Sequence, residues 1–179
     1  WFDTALSYGW GSSHSATANF LGQSRAQKNM WLTSKSGSGS VGGLEKGLDE
    51  ALAELKTDFL DIYLMHGIDD EDMLEPKFIK AGERFRQSGK TRFFGFSCHD
   101  GNVAQLLDKA ARVGGIDVIL FRYNFRRYGD LALNKAMEAC HKAGIGLLAM
   151  KSMGSVPNRL ESVVDFRSEK FMLGQAKLK

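Results

Sequence analysis

Six short apolar runs punctuate the chain: WFDTA (1–5), NMWLTSK (29–35), DFLDIYLMHG (58–67), RFFGFSCH (92–99), DVILFRYN (117–124) and GIGLLAMK (144–151). They are continuous more than alternating, the pattern of parallel strands covered on both faces. Between them the spacing turns helical. Leu44, Leu48, Ala51 and Leu55 fall on one face, and so do Val103, Leu106, Leu107 and Ala110. A further helix from about Asp130 turns Leu133, Ala136, Met137 and Cys140 inward, and Gly144 is placed to end it as a C-cap glycine. Polar residues close the strands at Asp3, Lys35, His66, Ser97 and Asn124, the first four at intervals of 32, 31 and 31 residues.

A βα unit repeated about every thirty residues, with a polar side chain at the C-terminal end of each strand, predicts a (β/α)₈ TIM barrel whose chemistry gathers at that end. An open doubly wound sheet shares the alternation. No Gly-x-Gly-x-x-Gly follows a strand, however, and the glycines of KSGSGSVGG (35–43) have neither that spacing nor the lysine of a phosphate loop. That stretch is expected to be a flexible loop. Six strands account for about six of the eight βα units. With no starting methionine and an ending inside an apparent helix, KFMLGQAKLK, residues 1–179 read as a single barrel domain truncated at both ends. A sheet left open in this way is expected to aggregate or fold only in part.

Composition narrows the picture further. Hydrophobic residues at 43% and charged residues at 25% are ordinary for a globular domain. A net charge of +3, spread along the chain, offers no footprint for nucleic acid or an acidic membrane. No apolar run reaches the length of a membrane span. Cys98 and Cys140 form neither a disulfide framework nor a metal-ligand pair, which fits a reducing, cytoplasmic setting.

Asp3, Tyr8, Lys35 and His66 would meet at one rim. A phenol is a poor proton donor near neutrality, and a nearby ammonium favours its phenolate form. A carboxylate holds that ammonium, and an imidazole orients a carbonyl or shares in proton transfer. Such a donor suits an oxyanion forming on a substrate carbon, with the hydride supplied by a reduced cofactor. Each residue also has an ordinary reading: Asp3 as a turn or N-cap carboxylate, Lys35 and Tyr8 as surface residues, His66 as a core histidine. IDDEDMLE (68–75) reads as an acidic loop entering a helix. His99 and Asp100 either line the pocket or begin the next turn. Arg122, Arg126 and Arg127 suit an anion or solvent equally.

FDTALSYG, WLTSK, GLDEALAELKTDFLDIYLMHG, GKTRFFGFS, Tyr123–Asn124 and AGIGLLAMKSMG together resemble the aldo-keto reductase family, in its order and spacing. The resemblance implies reduction of a small-molecule aldehyde or ketone to an alcohol by NADPH, with NADH as the alternative nucleotide. It makes Tyr8 the proton donor, Lys35 its ammonium partner, Asp3 the carboxylate paired with Lys35, and His66 the residue orienting the carbonyl. It also implies cofactor contacts from Asp3, Ser97, Cys98, Met150, Lys151 and Gly154, and no metal. The chain departs from the family pattern at Cys98 and Leu120, where amide side chains are usual, and at Met150, where an aromatic is usual. Two rival functions stand beside the reductase: a nucleotide-binding regulatory or sensor barrel with little turnover, which those departures favour, and an inactive fragment that lacks the strands completing the cofactor site.

Overall fold

Each of the six apolar runs contributes a strand, and each strand pairs in parallel with the next. The computed structural model describes residues 1–24, 30–99 and 101–152. Within them lie β1 (Phe2–Asp3), α1 (Ser13–Ser24), β2 (Leu32–Ser36), α2 (Val41–Leu55), β3 (Leu60–Met65) and α3 (Pro76–Gln87). There follow β4 (Thr91–Cys98), α4 (Val103–Val113), β5 (Val118–Arg122), α5 (Leu131–Lys142) and β6 (Gly146–Met150). The sheet order is β1-β2-β3-β4-β5-β6, all parallel. This is an α/β fold with a curled six-stranded sheet, an incomplete (β/α)₈ barrel. The KFMLGQAKLK segment, Asp100 and Gly154 lie outside the described residues.

The alternation of side chains along each strand separates two cores. Toward the helices, Tyr63, Met65, Phe94, Phe96, Cys98, Ile119 and Phe121 pack with the predicted helix faces. Leu44, Leu48, Ala51, Leu55, Val103, Leu106, Leu107, Ala110, Leu133, Ala136 and Cys140 are all buried there, and Met137 packs against them half-buried. Toward the concave side, Ile62, Leu64, Val118 and Leu120 form a smaller cluster with Phe93, Leu148 and Met150. At the N-terminal end of this concave side a cavity of about 400 Å³ opens among Trp1, Trp31, Ile62, Phe93, Val118 and Leu148.

The helix ends are set by local chemistry. Ser40 Oγ accepts from the Gly43 N–H at 3.1 Å and caps α2. The predicted loop over 35–43 is therefore shorter: Lys35 and Ser36 belong to β2, and residues 41–43 form the first turn of α2. The capping serine prevails over the low helix propensity of two glycines. Asp70 caps the turn Glu71–Leu74 in the acidic segment, and Pro76 opens α3 at a position that needs no N–H. At the end of α5, Gly144 takes φ 76°. Its N–H donates to His141 O, and the Ile145 N–H to Cys140 O, each at 3.0 Å. This closes the helix with a Schellman turn. Cys98 and Cys140 are both buried, and neither is in a disulfide among the described residues. The Cys140 thiol, pushed up to about 11 by burial, bonds the Leu107 carbonyl at 3.2 Å and has the environment of an inert packing residue.

Candidate active site

Strand register brings the polar strand ends together. Asp3 pairs with Thr33, so Lys35 stands two residues further along β2. Lys35 pairs with Leu64, so His66 again stands two residues beyond. Leu64 pairs with Gly95, which sets Ser97 level with His66. Two-residue steps preserve the inward direction, so all four belong to the concave side at the C-terminal rim.

Lys35 lies at the centre of the cluster and is only 1% exposed. Its Nζ is 2.8 Å from Asp3 Oδ1 and donates to the Thr4 carbonyl at 2.9 Å. It also reaches the Tyr8 hydroxyl at 3.4 Å and lies 4.6 Å from the centre of the phenol ring. Tyr8 arrives from a turn, not from a strand. The run WFDTA extends only to Asp3 as strand, because the chain leaves the sheet at Thr4 and folds back through the 3₁₀ segment Tyr8–Gly11. Gly9, Trp10 and Gly11 in that segment all have positive φ.

His66 meets the Tyr8 ring edge to face, with centroids 5.4 Å apart and planes at 79°. Burial, the Lys35 ammonium and neighbouring His99 together hold its imidazole down at about 4, against the opposing pull of Asp3. His66 is therefore neutral at pH 7, and one ring nitrogen carries a hydrogen to donate. The unfolded chain binds this proton more readily, so stability is expected to fall as pH drops from about 6.5 to about 4 and to level off below. The loss is on the order of 2 kcal/mol after allowance for solvent access. Urea unfolding midpoints across that range, compared with His66→Gln, check it; a variant with the same pH profile would remove His66 as the cause.

The remaining predicted contacts divide. Ser97 Oγ accepts from the Gly67 N–H at 2.8 Å, beside His66, and keeps its own hydrogen to donate. Met150 joins Leu120 and Leu148 on the concave side. Lys151 is exposed with φ 54°, and its carbonyl accepts from Asn124 Nδ2 at 3.3 Å, tying the ends of β5 and β6. Cys98 is not brought to this side. It is the next residue after Ser97 on an unbroken strand, so its thiol faces the helical core. Arg127 is engaged by Asp130 at 2.9 Å. The contribution of Thr4, through its carbonyl, carries no side-chain signal in the sequence.

The family model for the Aldo/keto reductase family matches residues 1–162. The chain belongs to the aldo-keto reductase family. Among curated relatives it is 24% identical over 166 residues to an aldo-keto reductase [NADP(+)] of Schizosaccharomyces pombe, covering 86% of this chain and 48% of that protein. It is 28% identical over 110 residues to the L-galactose dehydrogenase of Arabidopsis thaliana, covering 59% of this chain and 34% of that protein. The chain thus spans half or less of the length of these relatives. Among solved structures, an aldo-keto reductase from Klebsiella pneumoniae in complex with NADPH superimposes with a TM-score of 0.64. It is 23% identical, with 83% of this chain and 51% of that one covered, a likeness of fold. This aldo-keto reductase chain therefore carries part of a member's barrel fold. Among the described residues no helix is long and apolar enough to cross a membrane.

Proposed function

We propose that the rim is the carbonyl-reducing centre of an NADPH-dependent oxidoreductase, with Tyr8 as proton donor. The observation that carries this reading is the shared ammonium: Lys35 Nζ lies 2.8 Å from Asp3 and 3.4 Å from the Tyr8 hydroxyl in an almost fully buried position. Asp3 holds the ammonium in place. The ammonium stabilises the phenolate left when Tyr8 gives up its proton. Neutral His66 donates to the carbonyl oxygen and orients it toward the phenol. The proton then passes from the Tyr8 hydroxyl to the oxygen of the substrate, which leaves as an alcohol.

The chemistry of the rim suits a nicotinamide. Ser97 has a hydroxyl hydrogen for a carboxamide, and half-buried Met150 offers a thioether for a ring face. Ser97 and Met150 would hold that end of the nucleotide, which supplies the hydride when bound. NADPH is favoured over NADH by the cofactor named for the Schizosaccharomyces pombe relative and bound in the Klebsiella pneumoniae structure. A small aldehyde or ketone is the substrate class.

A second reading rests on a specific feature of the same rim. Leu120 faces the concave side where an amide would grip the nicotinamide, and Cys98 faces away from it. That favours a nucleotide-binding regulatory barrel with little turnover. The deciding experiment is NADPH titration of the purified protein, followed by NADPH consumption with and without a reactive aldehyde. Saturable binding with aldehyde-dependent consumption supports the reductase. Binding with no consumption leaves the regulatory reading, and no binding overturns both.

A further inference from the structure

Behind Lys35, on the helix-facing side of β2, a second polar cluster is buried. His14, 1% exposed, lies in the first turn of α1. Its Nδ1 is 2.7 Å from Glu54 Oε2 on α2, and its Nε2 is 2.8 Å from Ser34 Oγ on β2. Ser34 is fully buried and immediately precedes Lys35. One residue before His14, Ser13 Oγ lies 2.7 Å from Thr4 Oγ1, and the Thr4 carbonyl receives the Lys35 ammonium at 2.9 Å.

These contacts close a ring. It runs from Lys35 to Thr4, across to Ser13, along the chain to His14, over to Ser34 and back to Lys35. Tyr8 sits within the stretch between Thr4 and Ser13 that this ring staples at both ends. Between those staples the stretch is held by the buried Ala5, the Leu6 N–H on the Lys35 carbonyl at 3.4 Å and the Tyr8 contacts with Lys35 and His66. Its 3₁₀ segment, however, buries no residue, and Trp10 has the left-handed backbone that side-chain-bearing residues disfavour. An apolar residue at position 14 would fill the same space but would not fix the start of α1 to β2. Both ring nitrogens are engaged, so α1, α2 and β2 are held at one point.

We propose that His14 is a positioning residue for Tyr8, bolting the outgoing end of the Tyr8 turn to the strand that bears Lys35. The inference rests on the proposed roles of Tyr8 and Lys35. It acts through geometry, since a displacement of about 1 Å in a reacting group is enough to cost about a hundredfold in rate.

Because the Tyr8 ring lies against His66, the imidazole proton resonances of His66 report where the phenol sits, independently of turnover. In NMR spectra of the histidine-labelled protein, His14→Ala is expected to move the His66 signals toward their positions in Tyr8→Ala. It should also lower kcat for aldehyde-dependent NADPH consumption about a hundredfold, with the nucleotide KM within about twofold. His14→Gln, which keeps an amide to bridge Ser34, should restore most of both. If His14→Ala does not fold, Ser34→Ala removes the same tether at the strand and is read in the same way. Unmoved His66 signals and an unchanged kcat in a folded variant overturn the proposal, and if Tyr8→Phe still abolishes turnover, the reductase reading survives that failure. Moved His66 signals in a protein whose wild type consumes no NADPH have the opposite meaning: the tether holds and the reductase reading falls.

Discussion

Tyr8→Phe is expected to lower aldehyde-dependent NADPH turnover by about 10²–10⁴-fold, the usual worth of a positioned proton donor. The substitution is clean because the ring stays. Its contact with the Lys35 ammonium at 4.6 Å and its edge-to-face packing on His66 do not involve the hydroxyl. Among the described residues the hydroxyl makes a single long contact, 3.4 Å to Lys35, and Tyr8 is 37% exposed, so no buried group is orphaned. Lys35 keeps Asp3 and the Thr4 carbonyl as partners. Thermal stability should therefore change by less than about 0.5 kcal/mol, and NADPH affinity should hold. Steady-state kinetics, nucleotide titration and a melting curve read the three quantities separately. A kcat within twofold or so of wild type would remove the phenol from the chemistry.

Gly95→Ala is expected to be the most damaging small substitution in the sheet, costing about 3 kcal/mol or more. A methyl group at position 95 would stand 1.7 Å from the Val118 carbonyl oxygen and 2.8 Å from its carbon. These are backbone atoms of the adjoining strand, so no rotamer change relieves the overlap; β4 and β5 must part. That junction is also pinned below the glycine. The Asp117 carboxylate accepts from the Phe94 N–H at 2.8 Å and is paired with Arg86. A large drop in the urea midpoint, or loss of soluble protein, is the expected result. Wild-type stability in Gly95→Ala would show that the two strands are free to separate there.

The sheet and much of the rim were legible because their signals are local. A buried parallel strand must be apolar throughout, and a helix must show its apolar stripe, so the six strands and the core faces of α2, α4 and α5 could be read directly. The recurrence of Asp3, Lys35, His66 and Ser97 was informative because strand repeats of near-constant length return to the same end of the sheet. Cys98 shows the limit of adjacency. Next to Ser97 in the chain, it lies across the strand from it, and only the point at which β4 ends decides which way it faces. His14 left no trace for a different reason: its partners, Ser34 and Glu54, lie 20 and 40 residues away, and neither helical period nor motif links them. The start of α2 departs from the loop expected over 35–43 because a single serine hydroxyl outweighs the flexibility of the glycines behind it.

The alternation of β2 has a consequence for how such a protein tolerates change. Thr33 and Lys35 point one way, Ser34 and Ser36 the other, within five residues. Losing one codon from this strand would rotate the amine into the oily layer beneath the helices and bring a serine to the mouth in its place. Lengthening the loop at residues 37–39, between the end of β2 and the cap of α2, would leave that alternation as it is. Descendants of such a gene are therefore free to lengthen and shorten at the mouth, while the staves beneath must keep count.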